Sequence, residues 1–114
     1  MSIVRGTKKG TISGATLMHV VKLSVPVPCK IEYTVRASGN GKNQLRVRFG
    51  NLFILVWGKV HDFELEPGES ASRVVEISRD HTTELQDGQQ DVRFRVSRKA
   101  LTKAIDYEIE YTIR

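Results

Sequence analysis

Apolar and polar residues alternate one by one along most of this chain, and that period of two is what limits its fold. Val21, Leu23, Val25 and Val27 fall on one face, with Lys22 and Ser24 on the other. Ile31, Tyr33 and Val35 alternate with Lys30, Glu32, Thr34 and Arg36, and Leu45, Val47 and Phe49 alternate with Arg46 and Arg48. Near the end, Val92, Phe94 and Val96 are separated by Arg93 and Arg95, and Ile105, Tyr107, Ile109, Tyr111 and Ile113 by Asp106, Glu108, Glu110 and Thr112. Successive side chains of a strand point to opposite faces, so each segment reads as a half-buried strand. No window of helical length keeps apolar residues at i, i+3, i+4 and i+7.

About eight such segments fit into the 114 residues, with turn signals between them at the spacing of sandwiches and barrels. One wet and one buried face per strand is what antiparallel sheets require. The expected fold is an all-β antiparallel β-sandwich, jelly-roll or immunoglobulin-like, forming one domain over 1–114 with a basic N-terminal arm at 1–10. The stretch Glu64-Leu-Glu-Pro-Gly-Glu-Ser70, followed by Val74-Val75, resembles immunoglobulin-like and jelly-roll domains in a generic way and transfers no functional residue. Its Pro67-Gly68 pair predicts a type II turn over Glu66–Glu69.

Two hairpins are expected. The turn-forming residues 38–43 (SGNGKN) would join the strand around Tyr33 to that around Val47, setting Tyr33 opposite Val47, Ile31 opposite Phe49 and Glu32 opposite Arg48. A register placing Arg36 opposite Arg46 is disfavoured by like charge. In the last hairpin Arg93 would face Glu110, Arg95 Glu108 and Ser97 Asp106, with Phe94 on Ile109 and Val96 on Tyr107 inside. Between them, Gly50-Asn-Leu-Phe-Ile-Leu-Val-Trp-Gly58 breaks the alternation with six apolar residues in a row, Leu52 to Trp57. Read as one strand, it is apolar on both faces and needs cover on both. Phe53, Leu55 and Trp57 are therefore a candidate interface. Trp57 reads as a core or interface anchor rather than a lone carbohydrate platform.

Catalytic chemistry is not assembled by any motif. His61-Asp62 and Asp80-His81 are sequence neighbours, which on a strand point apart, and His19, His61 and His81 have no metal-ligand spacing. Gly39-Asn-Gly-Lys42 lacks the glycine and the Ser/Thr of a phosphate loop and leads into a strand. Cys29, the one cysteine, reads as a buried small hydrophobe. The expectation is no enzyme, no cofactor, no metal and no catalytic residue. Six apolar residues are too few to span a bilayer, and the N-terminus has no apolar signal-peptide core, so a virion or cytoplasmic location is expected.

Charge is distributed unevenly. Residues 1–60 carry ten Lys/Arg against one acid, Glu32, a balance of +9, and residues 61–114 carry eight against twelve, a balance of −4, which together give the net +5. Such segregation implies pairing of the halves, complementarity between subunits, or a basic face for an anionic partner. Arg36, Lys42, Arg46 and Arg48 are the candidate anion- or partner-binding residues, on the outer face and loop of the first hairpin, with Lys22 and Lys30 extending it. The functional expectation is a non-enzymatic structural or interaction protein that self-associates into a homo-oligomer or larger assembly, such as a virus or phage coat or decoration protein. The alternative is a binding module for an anionic polymer (nucleic acid or glycan) or a carbohydrate.

Overall fold

A computed structural model describes residues 3–26, 28–39, 43–53, 56–77, 89–100 and 103–114, with 51–60 and 89–90 described by backbone alone. Its strands are β1 (Val4–Ile12), β2 (Met18–Pro26), β3 (Cys29–Ser38), β4 (Leu45–Phe53), β5 (Val56–Leu65), β6 (Ser70–Ile77), β7 (Gln89–Arg98) and β8 (Ile105–Ile113). They form two four-stranded antiparallel sheets, ordered β1-β8-β3-β6 and β2-β7-β4-β5. Among the described strands, only β4 and β5 are both consecutive and neighbours in one sheet; the other consecutive strands lie in opposite sheets. This is the jelly-roll form of the expected antiparallel sandwich.

The alternation correctly identifies the inward residues. Ile31, Tyr33 and Val35 on β3 and Ile105, Tyr107 and Ile109 on β8 pack toward Leu45, Val47 and Phe49 on β4 and Val92, Phe94 and Val96 on β7, and all are buried. The Tyr33 ring lies 5.0 Å from Phe49 and 4.9 Å from Phe94, and Phe49 lies 4.7 Å from Phe94. This aromatic trio spans both sheets at separations suited to tilted and edge-on contact.

The two expected hairpins are not formed. β3 pairs with β6 and β8, and β4 with β5 and β7. β7 lies between β2 and β4, while β8 lies between β1 and β3. Tyr33 therefore meets Phe49 through the core instead of standing beside Val47, and Glu108 and Glu110 lie beside β3, in the sheet that does not contain Arg93 and Arg95. A short connection between two alternating strands can turn within a sheet or arch across the roughly 10 Å between sheets. In both cases the same residues face inward.

The apolar run is also divided. β4 extends to Phe53 and β5 begins at Val56, with Leu52 opposite Trp57 and Phe53 opposite Val56. The run expected as a single strand is thus the closing part of a hairpin. A register shift between Phe49 and Gly50, a β-bulge, precedes it and breaks the alternation there. Leu55 and the side chains of Phe53 and Trp57 lie outside the described residues.

Val4–Gly10, expected within a basic arm, belong to edge strand β1, which pairs with β8 along its length. Its inward positions are Val4, Gly6, Lys8, Gly10 and Ile12, a pattern with too few apolar residues to read as a strand. The two glycines make room for tyrosines: a Cβ at Gly6 would collide with the Tyr111 ring, and one at Gly10 would stand 2.8 Å from the Tyr107 hydroxyl. The turn Glu66–Glu69 is as expected, with Gly68 at φ 94° and a 2.9 Å bond from Glu69 N–H to the Glu66 carbonyl.

Candidate functional site

Polar residues cover most of the outer face of each sheet, with Val74 exposed on one and Met18 and Val20 on the other, and the two faces differ in charge. On the β1-β8-β3-β6 face, Arg5, Lys9, Lys30 and Arg36 stand among Glu32, Glu76, Asp106, Glu108 and Glu110. Arg36 reaches Glu110 at 2.8 Å and Glu108 at 3.4 Å, and Glu32 takes Arg114 at 2.8 Å and Lys30 at 3.9 Å. Thr11 donates to Asp106. A depression of about 600 Å³ at one end of this face has Lys9, Arg36, Asp106 and Glu108 in its wall, so opposite charges already line it together.

The β2-β7-β4-β5 face is different. Lys22 on β2 is directly opposite Arg93 on β7, and Arg95 on β7 is directly opposite Arg48 on β4. On β5, Asp62 stands directly opposite Arg48 and holds Arg46 in a two-point fork of 3.0 and 2.8 Å, Glu64 takes Lys99 at 3.0 Å, and on β7 Asp91 faces outward opposite Ser24. Asp62 keeps the Arg46 guanidinium charged, chiefly by its hydrogen bond and then by its charge. Among the described residues, no carboxylate lies within ion-pair distance of Lys22, Arg48 or Arg93. The Nε atoms of Arg48 and Arg93 are buried without a hydrogen-bond partner, and one Arg48 terminal nitrogen approaches the Met18 sulfur at 3.7 Å. Lys22, Arg93, Arg95 and Arg48 make a cationic band across three adjacent strands.

Of the residues singled out from sequence, Arg46 and Arg48 share this face. Arg36 does not, because β3 and β4 lie in opposite sheets, and it is neutralised by β8. Lys42 lies outside the described residues. Arg93 and Arg95 were assigned by sequence to ion pairs with Glu110 and Glu108. Their place in the band follows from the crossing of the β7–β8 connection, which no local signal marks.

His19 and His61 are bridges between the sheets. His19, an inward residue of β2, lies 3.0 Å through Nδ1 from the Tyr107 hydroxyl, and His61, an inward residue of β5, lies 2.5 Å through Nδ1 from the Tyr33 hydroxyl. Burial, and secondarily the Arg73 charge, lower the His61 pKa, while burial raises those of Tyr33 and Tyr107. Asp62 points outward from the same strand, so His61-Asp62 forms no dyad. His81 lies outside the described residues. Cys29 is buried, and burial raises its thiol pKa. Among the described residues no three His, Cys, Asp or Glu side chains are grouped as a metal site needs, and no helix is long and apolar enough to cross a membrane.

In comparison with known proteins, no family model and no curated protein matches the chain. Solved structures of similar fold include a protein of the disulfide-linked pili that form Bacillus endospore appendages, at 12% identity over 97% of this chain and 87% of that one, with a TM-score of 0.59. A protein of the naturally occurring empty particles of cowpea mosaic virus gives 9% identity over 97% and 82%, with a TM-score of 0.52. The Yersinia pseudotuberculosis-derived mitogen gives 11% identity over 96% and 85%, with a TM-score of 0.50. At these identities the likeness is one of fold, an antiparallel sandwich.

Proposed function

We propose that this chain is a non-enzymatic structural protein that self-associates, as a subunit of a virus or phage particle would. The observation that carries this reading is the flank formed by β1 and β2, each the unpaired edge of its sheet. Apolar side chains are exposed along it: Ile3 and Val4 toward one end, Leu17, Met18 and Val20 toward the other. Exposed apolar side chains grouped on a polar molecule mark contact surfaces. Strand-to-strand addition at β1 is opposed by Lys8, a charged residue at an inward position, which is a common means of blunting an edge. Side-chain packing from Leu17, Met18 and Val20 is the better-supported contact. The fold likeness to pilus and virus-particle proteins supports the same reading. Cys29 is buried, which argues against a disulfide link between copies.

The test is mass in solution. Light scattering over a concentration series should give a mass above the 12.9 kDa of one chain, persisting at high salt because the contact is apolar. Met18→Glu with Val20→Glu should return it to the monomer mass. A wild-type chain that stays monomeric at every concentration overturns the proposal.

A further inference from the structure

We propose that the outer face of the β2-β7-β4-β5 sheet binds the phosphate backbone of single-stranded nucleic acid without regard to base sequence. Lys22, Arg93, Arg95 and Arg48 occupy successive positions across β2, β7 and β4. Adjacent strands are about 4.8 Å apart and alternate residues along a strand about 6.8 Å apart. That grid is close to the separation of successive phosphates in an extended strand. Three of the four residues are arginines, whose planar fork matches two phosphate oxygens at once.

Asp62 faces Arg48 from β5 and Asp91 flanks Arg93 on β7, so acids border the band at two corners while its centre sets cation opposite cation. Like charges directly opposite on neighbouring strands oppose folding, and the other outer face shows this chain pairing its cations with acids. Among the described outward residues of the sheet none is aromatic, so those residues offer bases no stacking platform. Contact is then with the phosphates, which positions a strand without reading it. A flat sheet meets a curved duplex along a narrow line, whereas a flexible single strand can lie across all three strands. A sulfated glycan offers sulfates to the same cations, and heparin is therefore the competing arm of the test. The inference does not require self-association, but Val20, directly opposite Arg95, and Met18, against Arg48, lie on this same face, so a copy packed on them would compete with the nucleic acid.

The test is fluorescence anisotropy of the full chain with labelled oligodeoxynucleotides of homopolymeric and mixed sequence, over a salt series. Binding at low salt should be indifferent to base composition. The logarithm of affinity should fall linearly with that of salt, with a slope of roughly −2 to −3, at about −0.7 per phosphate for three to four contacts. Arg48→Gln with Arg93→Gln should weaken binding about tenfold or more at low salt and flatten the slope by roughly 1.4. Arg36→Gln, on the opposite face, should change neither. If the double variant fails to fold, Lys22→Glu, at an exposed position of an edge strand, gives the same comparison. No binding at the lowest salt overturns the proposal, as does preference for duplex or for heparin over the single strand, or a folded variant that binds as wild type does.

Discussion

Lys22 on β2 and Arg93 on β7 occupy directly opposed positions on the outer face of one sheet. Arg48 and Arg95 repeat the arrangement between β4 and β7. Opposed like charges destabilise a strand pair, and opposite charges contribute about 0.2–1 kcal/mol. Replacing Lys22 with glutamate should therefore raise stability by up to about 1 kcal/mol. The same substitution should weaken binding of an anionic polymer. Urea unfolding and the anisotropy titration give the two signs on one variant. A loss of stability would show that the band is tolerated for a reason internal to the fold.

The Tyr33–His61 bridge predicts a pH dependence. Burial holds the Tyr33 phenol protonated, so it can donate to Nδ1 of a neutral imidazole in the tautomer protonated at Nε2. A proton on His61 would remove that acceptor and place a second positive charge near Arg73. Its folded pKa lies below the ordinary 6.5, so just below pH 6.5 the unfolded chain binds more protons than the folded one. Stability from this group is full above 6.5 and falls as pH drops toward the lowered folded value. Wild type should show a lower urea midpoint at pH 5.5 than at 7.5. His61→Gln, which keeps a polar group and cannot titrate, should show a smaller difference. An unchanged difference would assign the effect to other groups.

The sequence specified which residues face the core, because burial on one side of a strand imposes the period of two whatever its neighbours are. Tyr33, Phe49 and Phe94 were legible as inward residues for that reason. Which strand lies beside which was not. The registers chosen for both hairpins rested on matching arginines to acids, and any arginine strand matches any acidic strand that alternates in step. Glu110 finds Arg36 in the structure, where Arg93 had looked as good. Pairs worth a fraction of a kcal/mol do not select between a hairpin and an arch. β1 was obscured by glycine at two inward positions. Lys22, Arg93, Arg95 and Arg48 become neighbours only once the strand order is known.

Those glycines carry a packing prediction. A Cβ at Gly6 would overlap the Tyr111 ring, which packs against the core cluster. Gly6→Ala should cost about 1–3 kcal/mol through displacement of the ring or of β1. Tyr111→Ala removes the obstacle, so the alanine at position 6 should cost much less in that background. A double-mutant cycle by urea unfolding reads the difference. Equal costs in both backgrounds would place the penalty elsewhere in β1.

Arg98 ties the loops at one end of the sandwich. It is only 4% exposed; its Nε donates to the Thr16 carbonyl at 2.9 Å, one terminal nitrogen to Lys103 at 3.1 Å and the other to Gly14. Asn43 donates to the carbonyls of Lys103 at 2.7 Å and Ala100 at 2.9 Å, while its own oxygen accepts from Ala100 N–H at 3.0 Å. Together they join segments 13–17, 39–44 and 99–104, all of them connections between the sheets. Arg98→Met keeps most of the apolar stem and leaves three carbonyls without this donor. Hydrogen bonds to charged groups are worth about 1.5–3 kcal/mol each, and relief from burying a guanidinium offsets part of that loss. The expected net cost is about 2–4 kcal/mol, seen as a lower urea midpoint. Because both side chains use the Lys103 carbonyl, Asn43→Ala should cost more in the Arg98→Met background, where it leaves that carbonyl without either donor, than in wild type, with a coupling of about 0.5 kcal/mol or more. Strict additivity would show that the two side chains hold their loops independently.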